Sequence, residues 1–266
     1  MSKVPVTEEE KRSPFYPFFE REMTPIQERI EFQIREGGLT PEQVICVQEK
    51  DRLLEPDYIP ERVGYTRMPD GSMTVVNYVE MPGVSTDMFD WWFSWHSLEP
   101  LRYKIWDPED HFGLELDEAG RQRALDPSIP MNEKTWGATH TVQESIGGPA
   151  QEIVLMFQNP ADMGYDVNRL GKDGVDFMVC CNALLGDMKM PVFMTEVAKK
   201  INGVMTFQAR FWVGYHIVDG EPKLLVPAAK VIPEPECDMI AKGLLAHNLK
   251  EFGNLNKVLP KVYAEE

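Results

Sequence analysis

Hydrophobic and polar positions follow two periodicities along this chain, and each periodicity predicts a set of elements. Alternation of period two is typical of a strand, and recurrence every three or four residues is typical of a helix. Strands are predicted at residues 73–80, 101–106, 138–146, 152–157, 175–183, 203–218 and 223–231. Helices are predicted from Thr24 to near Gly37-Gly38, from Thr40 to about Leu53, from Ser85 through Trp95, and over about 236–255.

The order of these elements predicts an α+β fold. Residues 1–60 indicate an N-terminal arm and a small helical appendage, because Thr24-Pro25 and Thr40-Pro41 each place a capping threonine before a proline. Residues 61–266 indicate one domain, in which an antiparallel sheet packs on a long C-terminal helix. A curved sheet that grips a helix leaves a cavity between them, and such cavities commonly bind ligands.

Composition narrows the class of partner. The chain has 266 residues, is 43% hydrophobic, and carries a net charge of -16 from 27 basic and 43 acidic side chains. This charge argues against nucleic acid and anionic membranes as partners. We find no transmembrane run, targeting segment or Cys-x-x-Cys pair, so we expect a cytoplasmic protein with structural thiols.

The predicted C-terminal helix carries a candidate ligand pair. Residues spaced three or four apart share one helix face, and here they form a mainly aliphatic stripe that should face the interior. The stripe consists of Ile240, Leu244, His247, Glu251 and Leu255. A buried imidazole and carboxylate need a partner, which could be a divalent metal. A simple His–Glu hydrogen bond at the edge of the core is the alternative.

A second His-x-x-x-Glu lies on the strand predicted at residues 138–146. Side chains two apart share one face of a strand, so His140 and Glu144 lie together with aliphatic neighbours. If that face pointed outward, three polar side chains would enter the core instead. His140 is therefore a candidate proton shuttle or partner of a metal ligand, and an ordinary core histidine is the alternative.

The remaining histidines have weaker signals. His111 follows a predicted strand in an acidic loop, and His96 lies where it could cap the end of the aromatic helix. In the strand predicted at 203–218, Phe211 and Tyr215 share a face with other aromatic residues, so we predict that they line the pocket and that His216 points outward. An ordinary core role is the alternative for Phe211.

One long aromatic stretch resembles a known family. Residues 91–111 read Trp-Trp-Phe-Ser-Trp-His-Ser-Leu-Glu-Pro-Leu-Arg-Tyr-Lys-Ile-Trp-Asp-Pro-Glu-Asp-His. This stretch is similar to the signature of the diacetylphloroglucinol hydrolase and phloretin hydrolase family. Glu144 and the helix with His247 and Glu251 follow in the order of that family's metal ligands, and the resemblance extends over about residues 25–255. It implies a helix-grip, Bet v 1-like domain behind a helical N-terminal part.

The resemblance also implies a set of site residues. A zinc ion, with iron or manganese as alternatives, would be held by His111, Glu144, His247 and Glu251. Tyr103, eight residues before His111, matches a tyrosine that contacts the substrate. The family has an asparagine just after the first histidine ligand, whereas this chain has Leu114, so the hydrogen bonding to the acyl side of the substrate does not carry over.

The reaction that the resemblance implies is hydrolysis of a carbon–carbon bond in a ketone. The bond joins a phloroglucinol-type ring to its acyl carbonyl, and the products are a carboxylic acid and the deacylated phenol. Two other classes stay open: a carrier of hydrophobic ligands that has the same fold, and a metal-dependent cyclase or dehydratase. The N-terminal arm, rich in proline and aromatic residues, could reach a second copy, so we expect a homodimer.

Overall fold

Eight antiparallel strands form the main sheet of this computed structural model, which describes residues 2–26, 28–36, 38–172 and 175–266. The strands are β1 (Gly64–Arg67), β2 (Met73–Glu80), β3 (His111–Leu116), β4 (Thr139–Glu144), β5 (Gln151–Gln158), β6 (Val175–Leu185), β7 (Met190–Ile201), β8 (Val204–Val213), β9 (Tyr215–Val218) and β10 (Glu221–Leu224). The main sheet has the order β1-β2-β8-β7-β6-β5-β4-β3, and β9 pairs separately with β10. The predicted antiparallel sheet is confirmed.

Helices precede, interrupt and follow the sheet. The α-helices are α1 (Tyr16–Glu20), α2 (Glu28–Glu36), α3 (Thr86–Trp95), α4 (Pro100–Trp106), α5 (Glu118–Leu125), α6 (Ala228–Val231) and α7 (Glu234–Glu265). Short 3-10 segments lie at Glu10–Arg12, Pro41–Gln43, Val47–Leu54, His96–Leu98, Met131–Glu133 and Val167–Arg169. In the described part of the chain, no helix is both long and apolar enough to cross a membrane.

Helix α7 packs against β1 and β2 and against α3 and α4, which gives the predicted helix-grip arrangement. Its apolar side chains enter the main core, where the rings of Phe252 and Phe207 stack with centroids 3.5 Å apart. The Asn254 side chain donates to the Trp106 carbonyl at 2.9 Å and accepts from the Thr24 backbone at 3.1 Å. One buried amide on α7 therefore joins the long helix, α4 and the N-terminal arm.

The other face of the sheet is covered by the N-terminal segment. Ile45, Leu53 and Leu54 form a second core with sheet residues that include Phe193 and Trp212. The Trp212 indole also donates to the Ile45 carbonyl at 3.1 Å. Residues 45–54 thus pack on the sheet, and the domain boundary near residue 60 stays a prediction.

The N-terminal helices differ from their predicted bounds. The first begins at Glu28 rather than after Thr24, and its predicted end includes Gly37, which lies outside the described residues. The helix predicted after Thr40 is two 3-10 segments with an extended break between them, although Thr40 is the N-cap of the first segment as predicted and also forms a capping box with Gln43. The arm also contains α1, for which no regular element was predicted.

Three predicted strands are corrected by the structure. Residues 101–106 form α4 instead of a strand, because Pro100 occupies the first helical position and side chains on several sides of the helix are buried. The strand predicted over 203–218 breaks at Gly214, whose φ of +101° suits glycine and separates β8 from β9. The last predicted strand ends at Leu224, and α6 follows it.

Strand β7 has no predicted counterpart, although it lies in the middle of the sheet. Ten consecutive residues from Met190 to Lys199 are buried, since the sheet is covered on both faces. Pro191, Glu196 and Lys199 interrupt its apolar pattern, so the run shows neither alternation nor a continuous hydrophobic stretch.

Gly243 in α7 allows the turn between β4 and β5 to approach the helix closely. A Cβ atom at this position would lie 2.1 Å from the Ile146 carbonyl oxygen, whereas a Cβ at Gly253 on the same helix would meet nothing within 4 Å. Backbone contact at Gly243 therefore fixes the distance between α7 and the end of β4.

We expect Gly243→Ala to lower the free energy of unfolding by about 1 to 3 kcal/mol, because the helix and the turn must separate. Gly253→Ala is the matched control and should be neutral or stabilising by up to about 1 kcal/mol. Denaturant unfolding monitored by circular dichroism measures both. Equal stability of the two variants would contradict the proposed close approach.

Candidate metal centre

Antiparallel pairing of β3 and β4 brings His111 and Glu144 together. His111 begins β3, Glu144 ends β4, and the two residues are paired across the strands. Directly opposite residues of an antiparallel pair project to the same face. Both side chains are buried, and the His111 backbone N–H is held by the Asp107 carbonyl at 3.0 Å. The strand register thus places one imidazole beside one carboxylate.

Helix α7 supplies the other two side chains. His247 and Glu251 are one turn apart and buried on the same face. The two imidazole Nε2 atoms of His111 and His247 are 3.3 Å apart. Glu144 Oε2 lies 3.5 Å from His247 Nε2, and Glu251 Oε2 lies 3.5 Å from His111 Nε2. These four residues, which we call the four-residue cluster, are therefore brought together as predicted.

Tyr103 orients the His111 ring. His111 Nδ1 donates to the Tyr103 carbonyl at 3.0 Å, and the two rings stack at 4.0 Å with 5° between their planes. A neutral imidazole that donates from Nδ1 keeps its lone pair on Nε2, the atom that faces the cluster. Helix α4 thus fixes both the tautomer and the direction of one candidate metal ligand.

An acidic turn at residues 107–110 lies beside His247. Its Nδ1 atom lies 3.9 Å from Asp110 Oδ2, too far for a direct hydrogen bond. Lys250 forms ion pairs with Asp110 at 2.6 Å, Glu109 at 3.0 Å and Asp107 at 3.2 Å. Asp107, Asp110 and His247 could also hold a metal, but the Lys250 ammonium already supplies a positive charge there.

Negative charge from the glutamates of the four-residue cluster is not balanced by any lysine or arginine within the cluster itself. Burial raises the pKa of Glu144 to about 7, and the nearby Glu251 carboxylate adds to this effect. Burial alone would lower the pKa of His247, but the carboxylates of Asp110, Glu251 and Glu144 raise it to about 10. The cluster therefore favours an additional positive charge, such as a proton on His247.

A divalent metal ion fits these residues. The donor set comprises two imidazole nitrogens and two carboxylates, a combination found in zinc sites. His111, Glu144 and His247 offer ligand atoms that all lie within 4.8 Å of one another. A metal ion would replace the proton on His247 and neutralise the two carboxylates, so the geometry and the charge are both compatible with metal binding.

An apolar cavity opens beside the cluster. Its polar walls include His96, Tyr103, His140, Glu144, Glu196, His247, Asn248 and Glu251. Its apolar walls include Phe93, Trp106, Val142, Ile153, Leu155, Phe157, Leu185, Met194, Phe211 and Leu244. The buried Tyr103 hydroxyl has no hydrogen-bond partner among the described residues. The cavity thus combines aromatic and aliphatic walls with a tyrosine whose hydroxyl is unpaired.

His140 lies on the cavity wall as predicted from the alternation of β4. Its ring contacts those of Phe157 and His96, with centroids 4.8 Å and 5.9 Å away. Burial lowers the pKa of His140 to about 4, so the ring is neutral at physiological pH. The structure does not bring His140 into the four-residue cluster, and a shuttle role stays a prediction.

The structure places the two aromatic residues predicted to line the pocket in different parts of the fold. Phe211 lines the cavity, whereas Tyr215 lies in the second core and its hydroxyl donates to Asp70 at 2.7 Å. The placement of Tyr215 as a pocket residue is corrected, because the break at Gly214 ends the alternation on which it was based. His216 is half-buried and lies within hydrogen-bond distance of the Ala183 carbonyl, at 2.9 Å.

Three further cavity residues were missed as site residues. His96, expected to cap a helix, is the C-cap residue of α3, and its Nδ1 atom is 2.7 Å from the Trp92 carbonyl while its ring lines the cavity. Asn248 follows His247 directly, and Glu196 lies on the unpredicted strand β7. An isolated asparagine and glutamate give no spacing signal, so only the register of the folded chain reveals their position.

The sequence of the chain is similar to those of known hydrolases. The sequence matches the family described as DAPG hydrolase PhiG domain over residues 45–264, which include all four cluster residues. It is 37% identical to phloretin hydrolase from Eubacterium ramulus over 267 residues, covering 99% of this chain and 94% of that relative. It is 28% identical to 2,4-diacetylphloroglucinol hydrolase from a Pseudomonas species over 264 residues, covering 96% and 89%.

Among solved structures, a START superfamily protein from Mycobacterium smegmatis matches with a TM-score of 0.40 and 14% sequence identity. That match covers 69% of this chain and 97% of the other. A similarity at this level does not extend to function.

We expect Glu251→Gln to reduce the bound metal at least about 10-fold, because a carboxylate ligand becomes a weaker neutral donor. Glu236→Gln, an exposed glutamate on the same helix, is the matched control and should retain metal. Elemental analysis after gel filtration measures metal per chain, and circular dichroism checks folding. Full occupancy in the Glu251 variant would remove this residue from the ligand set.

Proposed function

Because the chain belongs to the family described as DAPG hydrolase PhiG domain, we propose that it is a metal-dependent hydrolase of acylated polyphenols. The bond cleaved joins a phloroglucinol-type ring to its acyl carbonyl, which places the reaction among hydrolases of carbon–carbon bonds in ketones. The observation that supports this most is the convergence of two histidines and two glutamates at the wall of an apolar cavity. A phloretin-like compound is the first substrate to test, given the relative of 37% identity.

Zinc is the metal that we propose for His111, Glu144, His247 and Glu251, and iron or manganese could use the same donors. When bound, the metal would polarise the acyl carbonyl and make water a stronger nucleophile at neutral pH. Glu144 and Glu251 would compensate its charge, while the Tyr103 carbonyl keeps His111 in the ligating tautomer. Lys250 holds Asp110 beside His247 without entering the cluster.

Tyr103 and His140 have separate proposed roles at the substrate. The free Tyr103 hydroxyl, next to His111, would donate a hydrogen bond to the substrate and orient its carbonyl towards the cluster. The aryl ring can leave only after its acyl-bearing carbon has taken up a proton, since a bare aryl carbanion is too unstable. His140 is neutral in its buried position, so it could relay a proton but does not store one at pH 7.

A carrier of hydrophobic ligands is the competing function. A carrier needs the apolar walls, which Phe157, Phe211 and their neighbours provide, but it has no use for four buried ligand side chains. Burying carboxylates costs free energy unless a partner compensates them. The cluster therefore favours catalysis. A homodimer and a cytoplasmic location stay part of this proposal as sequence-based predictions.

We expect the metal-loaded protein to convert phloretin to phloroglucinol and 3-(4-hydroxyphenyl)propanoic acid. In water enriched in oxygen-18, one labelled oxygen should enter the carboxylic acid, because hydrolysis adds water across the broken bond. Mass spectrometry of both products makes this measurement, and chelator-treated protein is the control. Tight binding of phloretin and of an acetylated phloroglucinol without either being cleaved would instead support a carrier.

We expect Tyr103→Phe to lower kcat/KM for the same substrate by about 10- to 100-fold, since one hydrogen bond to the substrate is lost. The stacked ring and the backbone carbonyl remain, so metal content should not change. Tyr263→Phe, at a partly exposed position on α7, is the control. Unchanged kinetics in the Tyr103 variant would show that its hydroxyl does not contact the substrate.

A further inference from the structure

Strand β7 projects one ionisable side chain into the cavity. Its cavity-facing residues alternate along the strand as Val192, Met194 and Glu196, so a carboxyl group follows two apolar side chains. Glu196 is only 3% exposed. No lysine or arginine pairs with it among the residues that the structure describes, although buried glutamates usually have such a partner.

Asparagine side chains connect Glu196 to the cluster. Asn248 Nδ2 donates to Glu251 Oε1 at 3.0 Å and to Glu196 Oε1 at 3.3 Å. Asn77 donates to Asn248 Oδ1 at 2.7 Å, which fixes the direction of the Asn248 amide. Both Asn248 amide hydrogens are thereby used, so one Glu196 oxygen is anchored while the carboxyl group borders the cavity.

The surroundings of Glu196 disfavour the charged form of its carboxyl group. Burial raises the pKa of Glu196 well above its ordinary value, and the carboxylates of Glu251 and Glu144 contribute in the same direction. A protonated carboxyl group can donate one hydrogen bond and accept others. It therefore matches a hydroxyl group better than it matches a cation or an apolar surface.

We propose that Glu196 is a specificity-determining residue that hydrogen-bonds a ring hydroxyl of the phenolic substrate. This inference rests on the proposed function, whose reaction does not itself assign any role to β7. Apolar walls such as Phe211 and Met194 distinguish a hydroxylated ring poorly from its deoxy analogue. A buried polar group discriminates strongly, because it is left unpaired when the analogue lacks the hydroxyl.

Tyr103 and Glu196 would then contact different parts of one ligand. Tyr103 stacks on His111, whereas Glu196 is linked through Asn248 to Glu251. Tyr103 is thus next to His111, and Glu196 is connected to Glu251, so the two polar groups lie beside different members of the four-residue cluster. A substrate with its carbonyl near Tyr103 can direct a ring hydroxyl to the β7 side.

The test compares Glu196→Leu and Glu196→Gln on phloretin and on two analogues that lack one acyl-ring hydroxyl, ortho or para to the carbonyl. We expect the leucine variant to lower kcat/KM for phloretin about 10- to 100-fold and to leave one analogue unaffected, so that discrimination disappears for that hydroxyl. The Glu196→Gln variant, whose amide can still donate and accept hydrogen bonds, should retain most of the discrimination. Glu152→Leu, a partly exposed site on β5, is the control for a glutamate replacement.

An equal loss on all three substrates at full metal content would overturn the inference, because a merely structural role does not depend on the ring hydroxyl. Unchanged discrimination in Glu196→Leu would also overturn it. If the wild-type protein cleaves none of the substrates, the proposed hydrolase function is wrong. The role of Glu196 is then tested by measuring ligand binding with calorimetry. The wild type should then bind phloroglucinol more tightly than resorcinol, whereas the leucine variant should bind the two compounds with equal affinity. Equal binding to the wild type would reject the role of Glu196.

Discussion

Two imidazoles and two carboxylates share one small buried volume, and the rest of the site depends on how their charges are balanced. Contacts of 3.3 Å between His111 and His247, and of 3.5 Å from each of these rings to a glutamate, are too close for four buried groups without a shared positive charge. A proton on His247 can supply that charge, and the proposed metal ion would supply it instead. Folding and the proposed metal binding would therefore be linked at the same four side chains.

The fold brings these side chains together through two rigid elements and one close contact. The pairing of β3 with β4 sets His111 opposite Glu144, and one turn of α7 separates His247 from Glu251. The close approach at Gly243 sets the distance between the helix and the end of β4. Because strands and a helix hold the four side chains, the geometry of the cluster does not rely on long loops.

Local patterns in the sequence predicted most of what depends on spacing. The structure contains the predicted helix around His247 and Glu251 and turns His140 and Glu144 inward, and it places His111, which the resemblance added, beside them. Features that depend on long-range packing were missed. Residues 101–106 alternate like a strand but form a helix buried on several sides, and β7 lacks any pattern because both of its faces are covered. Glu196 escaped prediction for the same reason.

Lys250, the residue before Glu251, joins two parts of the site without any bound ion. Lys250 grips three carboxylates of the turn that leads into His111, and it belongs to the helix that carries the other ligand pair. These ion pairs lie outside the four-residue cluster and form without a bound metal ion. The cavity should thus keep its shape whether or not the proposed ion is bound, so that the folded protein would load or release that ion without unfolding.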